Sequence, residues 1–141
     1  MKKKNTFIIP IIRDDLIETC LDKLYKYTPD NFYVYVIDQT QNGIDRKLLD
    51  RIHLYIRPHR NLGFAKACNE GIKLVETEYF TLLNDDVECI NSKWLQGIID
   101  TFKMIKKQTP DKPAVMVNPA SIKLPDWSVG FPKGQDFYIL P

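Results

Sequence analysis

Long apolar runs are missing from this 141-residue sequence. The most apolar stretch near its start, FIIPII after three lysines, imitates a secretory leader. It is closed at once by Arg13, Asp14 and Asp15, too early for a leader core or a membrane span. The expectation is therefore a protein of the cytoplasmic side with no transmembrane segment. Glycine is also scarce, at six residues, and neither GxxxxGK[ST] nor GxGxxG occurs. A nucleotide, if bound, has to be held without either glycine-rich phosphate loop. Cysteine is limited to Cys20, Cys68 and Cys89, an odd number with no CxxC spacing, which argues against a disulfide framework or a structural zinc site. The two histidines, His53 and His59, have no cysteine nearby. Charge of one sign is lacking too: a net +2 points to no polyanionic partner, so no nucleic acid is expected.

What is present is one domain's worth of ordinary globular composition, 44% hydrophobic and 27% charged. Strands and helices alternate. Residues 6–12 read as a strand. RDDLIETCLDKLYKYT reads as a helix with Leu16, Ile17, Cys20, Leu21, Leu24 and Tyr25 on one face, Asp15 and Glu18 having capping spacing. FYVYVID (32–38) is a second strand and DRKLLDRI a short helix. HLYIR (53–57) is a third strand, and HRNLGFAKACNEGIKLVE is a loop running into a helix. YFTLLN (79–84) is a fourth strand. Residues 91–108 form the clearest helix, with Trp94, Leu95, Ile98, Ile99, Phe102 and Ile105 in one stripe and Ser92 placed to cap it. AVMVN (114–118) is a fifth strand. This order implies right-handed crossovers and a mainly parallel open sheet with helices on both faces, a Rossmann-like α/β class. Residues 1–120 are expected to be this domain. From 121 to 141 the prolines and glycines of SIKLPDWSVGFPKGQDFYILP suggest an irregular segment.

In such a sheet, ligands bind beyond the carboxyl ends of the strands. Asp38 closes the second strand, and Asn84, Asp85 and Asp86 close the fourth, with the RPHRN loop after the third. Adjacent carboxylates raise the cost of ionising each other. A shared Mn2+ or Mg2+ offsets that repulsion, because these hard ions take one or two carboxylates and fill the remaining positions with substrate phosphate oxygens. Asp14 and Asp15 also follow a strand, but they start a helix, and capping accounts for them. Arg57 stands where a phosphorylation receiver needs an aspartate, which excludes that class.

Three segments resemble family-2 glycosyltransferases with the nucleotide-sugar-binding A fold: YVYVIDQT, NLGFAKACNEGI (61–72) and YFTLLNDDVE. The likeness covers roughly residues 6–118. It implies a nucleoside diphosphate sugar donor and a saccharide or lipid-linked acceptor. It further implies an inverting transferase, in which an Asp or Glu base activates the acceptor hydroxyl. By position, Asp38 contacts the base, and Pro10, Ile11 and Gln39 flank the nucleotide. Arg60, Asn61, Gly63 and Lys66 line its pocket, with Arg57 and His59 as further cations. Asn84 and Asp85 reach the ribose or the cation, and Asp86 holds the metal, so that Asp85 and Asp86 are the catalytic pair. The chain departs from the family where Pro10-Ile11-Ile12-Arg13 replaces a Pro-x-Tyr-Asn run, and where Gln39-Thr40-Gln41 replaces a small Asn/Gly/Ser loop. The family's second half, with base and acceptor site, is expected to be missing. Asp126 and Asp136 lie in no matching motif. A non-catalytic nucleotide- and metal-binding module and a nucleotidyltransferase are the competing classes; PIIRDD lacks the glycines of the latter.

Overall fold

A computed structural model describes residues 3–29, 31–111 and 117. The chain divides into two compact units, Met1–Ser92 and Lys93–Pro141. The first holds a four-stranded parallel sheet in the order β3-β2-β1-β4, built from β1 (Asn5–Ile11), β2 (Phe32–Asp38), β3 (Leu54–Ile56) and β4 (Tyr79–Leu82). β1 is buried at every position, as the apolar run from Phe7 to Ile11 requires of a strand covered on both faces; the polar Asn5 and Thr6 at its start are buried as well.

Helix α1 (Ile17–Tyr27) buries Ile17, Cys20, Leu21 and Leu24, the expected face. Its start differs from expectation. The N-cap is Leu16, with no side-chain cap, and Asp15 instead forms a two-point ion pair with Arg13. A guanidinium fork two residues away outcompetes the helix amides for that carboxylate. The segment Arg46–Arg51 is a 3-10 helix, opened by Asp45 accepting from the Lys47 amide at 3.0 Å. Helix α2 (Phe64–Ile72) packs on the sheet through Ala67 against Ile8 and Ile37, with Ile56, Ile72 and Val75 around them. Gly71 makes this approach possible, since a Cβ there would lie 2.5 Å from Cγ2 of Ile8. β4 ends at Leu82, two residues earlier than the sequence suggests, and Leu83 continues its pairing with a 3.0 Å bond to the Ile8 carbonyl.

In the second unit, helix α3 (Trp94–Gln108) buries Leu95, Ile99 and Ile105, with Trp94, Ile98 and Phe102 half-buried beside them. Its N-cap is Lys93 rather than Ser92. The expected strand at 114–118, of which only Val117 is described, and the segment 121–141 with Asp126 and Asp136 lie outside the described residues, as does the expected boundary at 120.

Candidate functional site

Because every strand is parallel, four carboxyl ends share one rim. Two backbone bonds hold the rim in line: the Gln39 amide to the Ile11 carbonyl at 2.9 Å, and the Leu83 amide to the Ile8 carbonyl. From one side to the other stand Arg57 after β3, Asp38 ending β2, Ile12 and Arg13 after β1, and Asn84 to Asp86 after β4.

Asp38 is fully buried. One oxygen accepts from the Thr40 amide at 2.8 Å, and the other accepts from the Tyr55 hydroxyl. Register explains the second contact. Tyr55 pairs with Val36, two residues before Asp38, so the two side chains emerge on the same sheet face. Burial, the hydrogen bond to Asp38 and its charge together push the Tyr55 hydroxyl pKa up. Arg57, two residues beyond Tyr55, caps the carbonyls of Thr40 (3.2 Å) and Gln41 (2.6 Å). The Thr40 hydroxyl accepts from the Gly43 amide at 2.9 Å. Gly43 adopts φ 85°, a conformation that favours glycine, and a Cβ there would also crowd the Arg57 guanidinium at 3.1 Å.

The loop after β3 closes the other wall. The Leu62 amide donates to Oε1 of Gln39 at 2.7 Å, joining the two loops, and Asn61 Oδ1 accepts from the Gly63 amide at 2.8 Å. Gly63, at φ 75°, is the N-cap of α2 with open space around it. Between the walls, residues 39–41 and 57–61 line a cleft of about 450 Å³. It thus unites Gln39, Arg60 and Asn61 with Arg57 and His59. Lys66 is exposed on the first turn of α2, and Gly63 adjoins the cleft without lining it. Pro10 and Ile11 are buried inside β1; the exposed residues of that strand end are Ile12 and Arg13. A central strand covered on both faces has no side chain to offer a ligand until it leaves the sheet.

Asp85 and Asp86 sit at the β4 end, outside the cleft lining. Two strand spacings, about 10 Å, separate that end from β2. Asn84 is exposed; its carbonyl accepts from the Val87 amide at 3.3 Å and from the Cys20 thiol at 3.8 Å. This turn leaves Asp85 half-buried and Asp86 exposed. Burial raises the Asp85 carboxyl pKa, and the neighbouring Asp86 charge raises it further, with Arg13 acting in opposition. Among the described residues no group of three or more His, Cys, Asp or Glu side chains gathers around a metal position. A pair is the donor set that a hard divalent ion uses when phosphate oxygens and water complete its shell, so the residues present fit Mn2+ or Mg2+.

Sequence reading did not single out Tyr55 and the Arg13–Asp15 pair. The alternation in HLYIR, which places Tyr55 and Arg57 on one face, was the available signal for the first. The acids Asp14 and Asp15 directly after Arg13 were the signal for the second.

A parallel sheet in this order, with helices packed on it, is the architecture of an A-fold glycosyltransferase domain. The chain belongs to glycosyl transferase family 2, whose model matches residues 6–111. Similar solved structures include the mannosyltransferase PcManGT from Pyrobaculum calidifontis, in complex with GDP-Man and Mn2+. It shares 19% identity with a TM-score of 0.67, over 87% of this chain and 36% of that one. S. aureus TarS 1-349 shares 23% identity with a TM-score of 0.57, over 74% of this chain and 33% of that one. The chain thus spans about a third of the length of these solved proteins, and at such identities the likeness concerns the fold. No curated protein matches the chain. Among the described residues no helix is long and apolar enough to cross a membrane.

Proposed function

We propose that this chain is the donor-binding part of a metal-dependent, inverting glycosyltransferase that moves a sugar from a nucleoside diphosphate to an acceptor hydroxyl. The observation that carries this is the common rim: a preformed cleft at the ends of β2 and β3, and a carboxylate pair two strands away at the end of β4. The nucleoside lies in the cleft between residues 39–41 and 57–61. The Asp38 carboxylate acts on the base through the loop it holds in place. Arg60, Asn61 and Lys66 face the nucleotide from the loop and first turn of α2, and Gly63 leaves room for it. The diphosphate runs along the rim past Asn84 toward Asp85 and Asp86, which would hold Mn2+ or Mg2+.

When bound, such an ion supplies charge neutralisation for the departing diphosphate. The protein's own share is orientation. The walls are tied to each other before any ligand arrives, so little ordering remains to be done on binding. The sugar carbon then passes through an oxocarbenium-like state as the acceptor oxygen, saccharide or lipid-linked, approaches. Reduced, buried thiols at Cys20, Cys68 and Cys89 fit a chain that works on the cytoplasmic side.

Calorimetry with uridine, guanosine and thymidine diphosphates, with and without Mn2+, tests this reading. At least one nucleotide binds in a metal-dependent manner, and Asp86→Asn abolishes the metal dependence while leaving the circular dichroism spectrum unchanged. Metal-dependent binding of none of them overturns it.

A further inference from the structure

The cleft is unequal in what it offers a ligand. Its acceptors at the end of β2 are already in use. Both Asp38 oxygens are taken, one by the Thr40 amide and one by the Tyr55 hydroxyl. The carbonyls of Thr40 and Gln41 are capped by Arg57, the Thr40 hydroxyl accepts from Gly43, and Gln39 Oε1 accepts from Leu62. Across the cleft, Asn61 Oδ1 accepts from Gly63. Donors remain on the amide NH2 groups of Gln39 and Asn61 and on the guanidinium of Arg60, beside the His59 imidazole, which can donate or accept. That guanidinium has no hydrogen bond or ion pair among the described residues. Among the described residues no acidic side chain lines the cleft. The exposed Gln41 amide offers a donor and an acceptor together, and so favours neither kind of ligand.

Bases differ in what they need from such a wall. The edge of guanine that carries O6 and N7 presents two acceptors side by side, which a guanidinium fork meets with two parallel bonds. Adenine presents an amino donor beside N7, and cytosine an amino donor at N4. Uracil and thymine place an N–H between their two carbonyls, so neither offers a guanidinium fork two adjacent acceptors.

We propose that the cleft selects guanine, with Arg60 as the specificity-determining residue that donates to O6 and N7. The proposal rests on the nucleotide reading above and narrows it to guanosine diphosphate donors. Arg57 is held against the cleft wall, its Nη2 donating to both the Thr40 and Gln41 carbonyls, whereas Arg60 has no such anchor.

The test is calorimetry at constant Mn2+ with GDP, UDP, dTDP, CDP, ADP and 7-deaza-GDP, which lacks N7. In the wild-type chain GDP binds about tenfold or more tighter than each of the others, equivalent to about 1.4 kcal/mol. Arg60→Ala removes the preference by weakening GDP alone, and 7-deaza-GDP binds this variant no more weakly than GDP does. Arg60→Lys retains the charge without the fork and does not restore the preference. UDP or CDP binding as tightly as GDP, or 7-deaza-GDP matching GDP in the wild type, overturns the guanine assignment and leaves the nucleotide reading standing. Binding of no nucleotide at all overturns both.

Discussion

Tyr55 donates its hydroxyl hydrogen to a carboxylate oxygen of Asp38, a residue seventeen positions earlier with no solvent exposure. Together with the Thr40 amide on the other oxygen, this bond is what allows a carboxylate to sit inside the sheet's end. It also fixes the loop that forms one wall of the cleft.

Tyr55→Phe leaves that oxygen buried without its donor. The expected cost is about 1–3 kcal/mol of folding stability, the usual penalty for an orphaned buried polar group. Urea midpoints at unchanged m-value measure it. Combining the change with Asp38→Asn costs less than the sum of the two single changes, because both remove the same contact. Additive losses show that the pair is not coupled.

Asp85 gives a pH-dependent signature. Burial and the Asp86 charge raise its folded carboxyl pKa, so the native state holds that proton more tightly than the unfolded chain does. Its stabilising contribution is therefore complete below the unfolded pKa and lost as pH rises through the folded pKa. Above that point Asp85→Asn is more stable than the wild type in the presence of a chelator, and the gap closes in acid. Mn2+ reverses the order: at about a hundredfold excess over its dissociation constant it stabilises the wild type by about 2.7 kcal/mol, and the variant by less. Urea titrations from about pH 3 to about pH 8, with and without Mn2+, decide it. A wild type more stable than the variant at neutral pH without metal contradicts the expectation.

The thiols make a third case. Burial, aided by nearby charges, pushes the Cys20 thiol up to about 12, and burial pushes Cys89 up to about 11. At pH 8 the thiolate fractions are then about one in ten thousand and one in a thousand, and the thiolate is the reactive form. Iodoacetamide leaves both residues unmodified in the native protein over hours and labels both in urea, as read by mass spectrometry of the peptides. Rapid native labelling of Cys20 contradicts its placement against the Asn84 carbonyl.

Much of the framework was legible from local pattern. The apolar run from Phe7 to Ile11 in β1, the one-sided faces of α1 and α3, and the carboxylates at the end of β2 and just after β4 are all periodicities or endings that a linear reading detects. The contacts that shape the cleft were not legible in this way. Tyr55 to Asp38 and Leu62 to Gln39 span 17 and 23 residues, and they depend on strand register and loop path, which no window of sequence encodes. The same blindness explains Asp15, whose spacing to Glu18 matches a cap equally well whether or not an arginine two residues earlier takes the carboxylate. Pro10 and Ile11 are buried in the strand, and the first exposed residue after them is Ile12, a boundary that the apolar run through residue 12 conceals.

The clearance at Gly71 reaches further than the spot it occupies. It lies near the last turn of a nine-residue rod, about 13 Å long, whose opposite tip is Gly63. A single methyl group added at 71 would meet Ile8 and pry the rod's foot from the sheet. The tip would swing with it, carrying Asn61 and Arg60 away from Gln39. The shape of the cleft is thus set partly by a hydrogen atom pressed between a helix and the sheet beneath it.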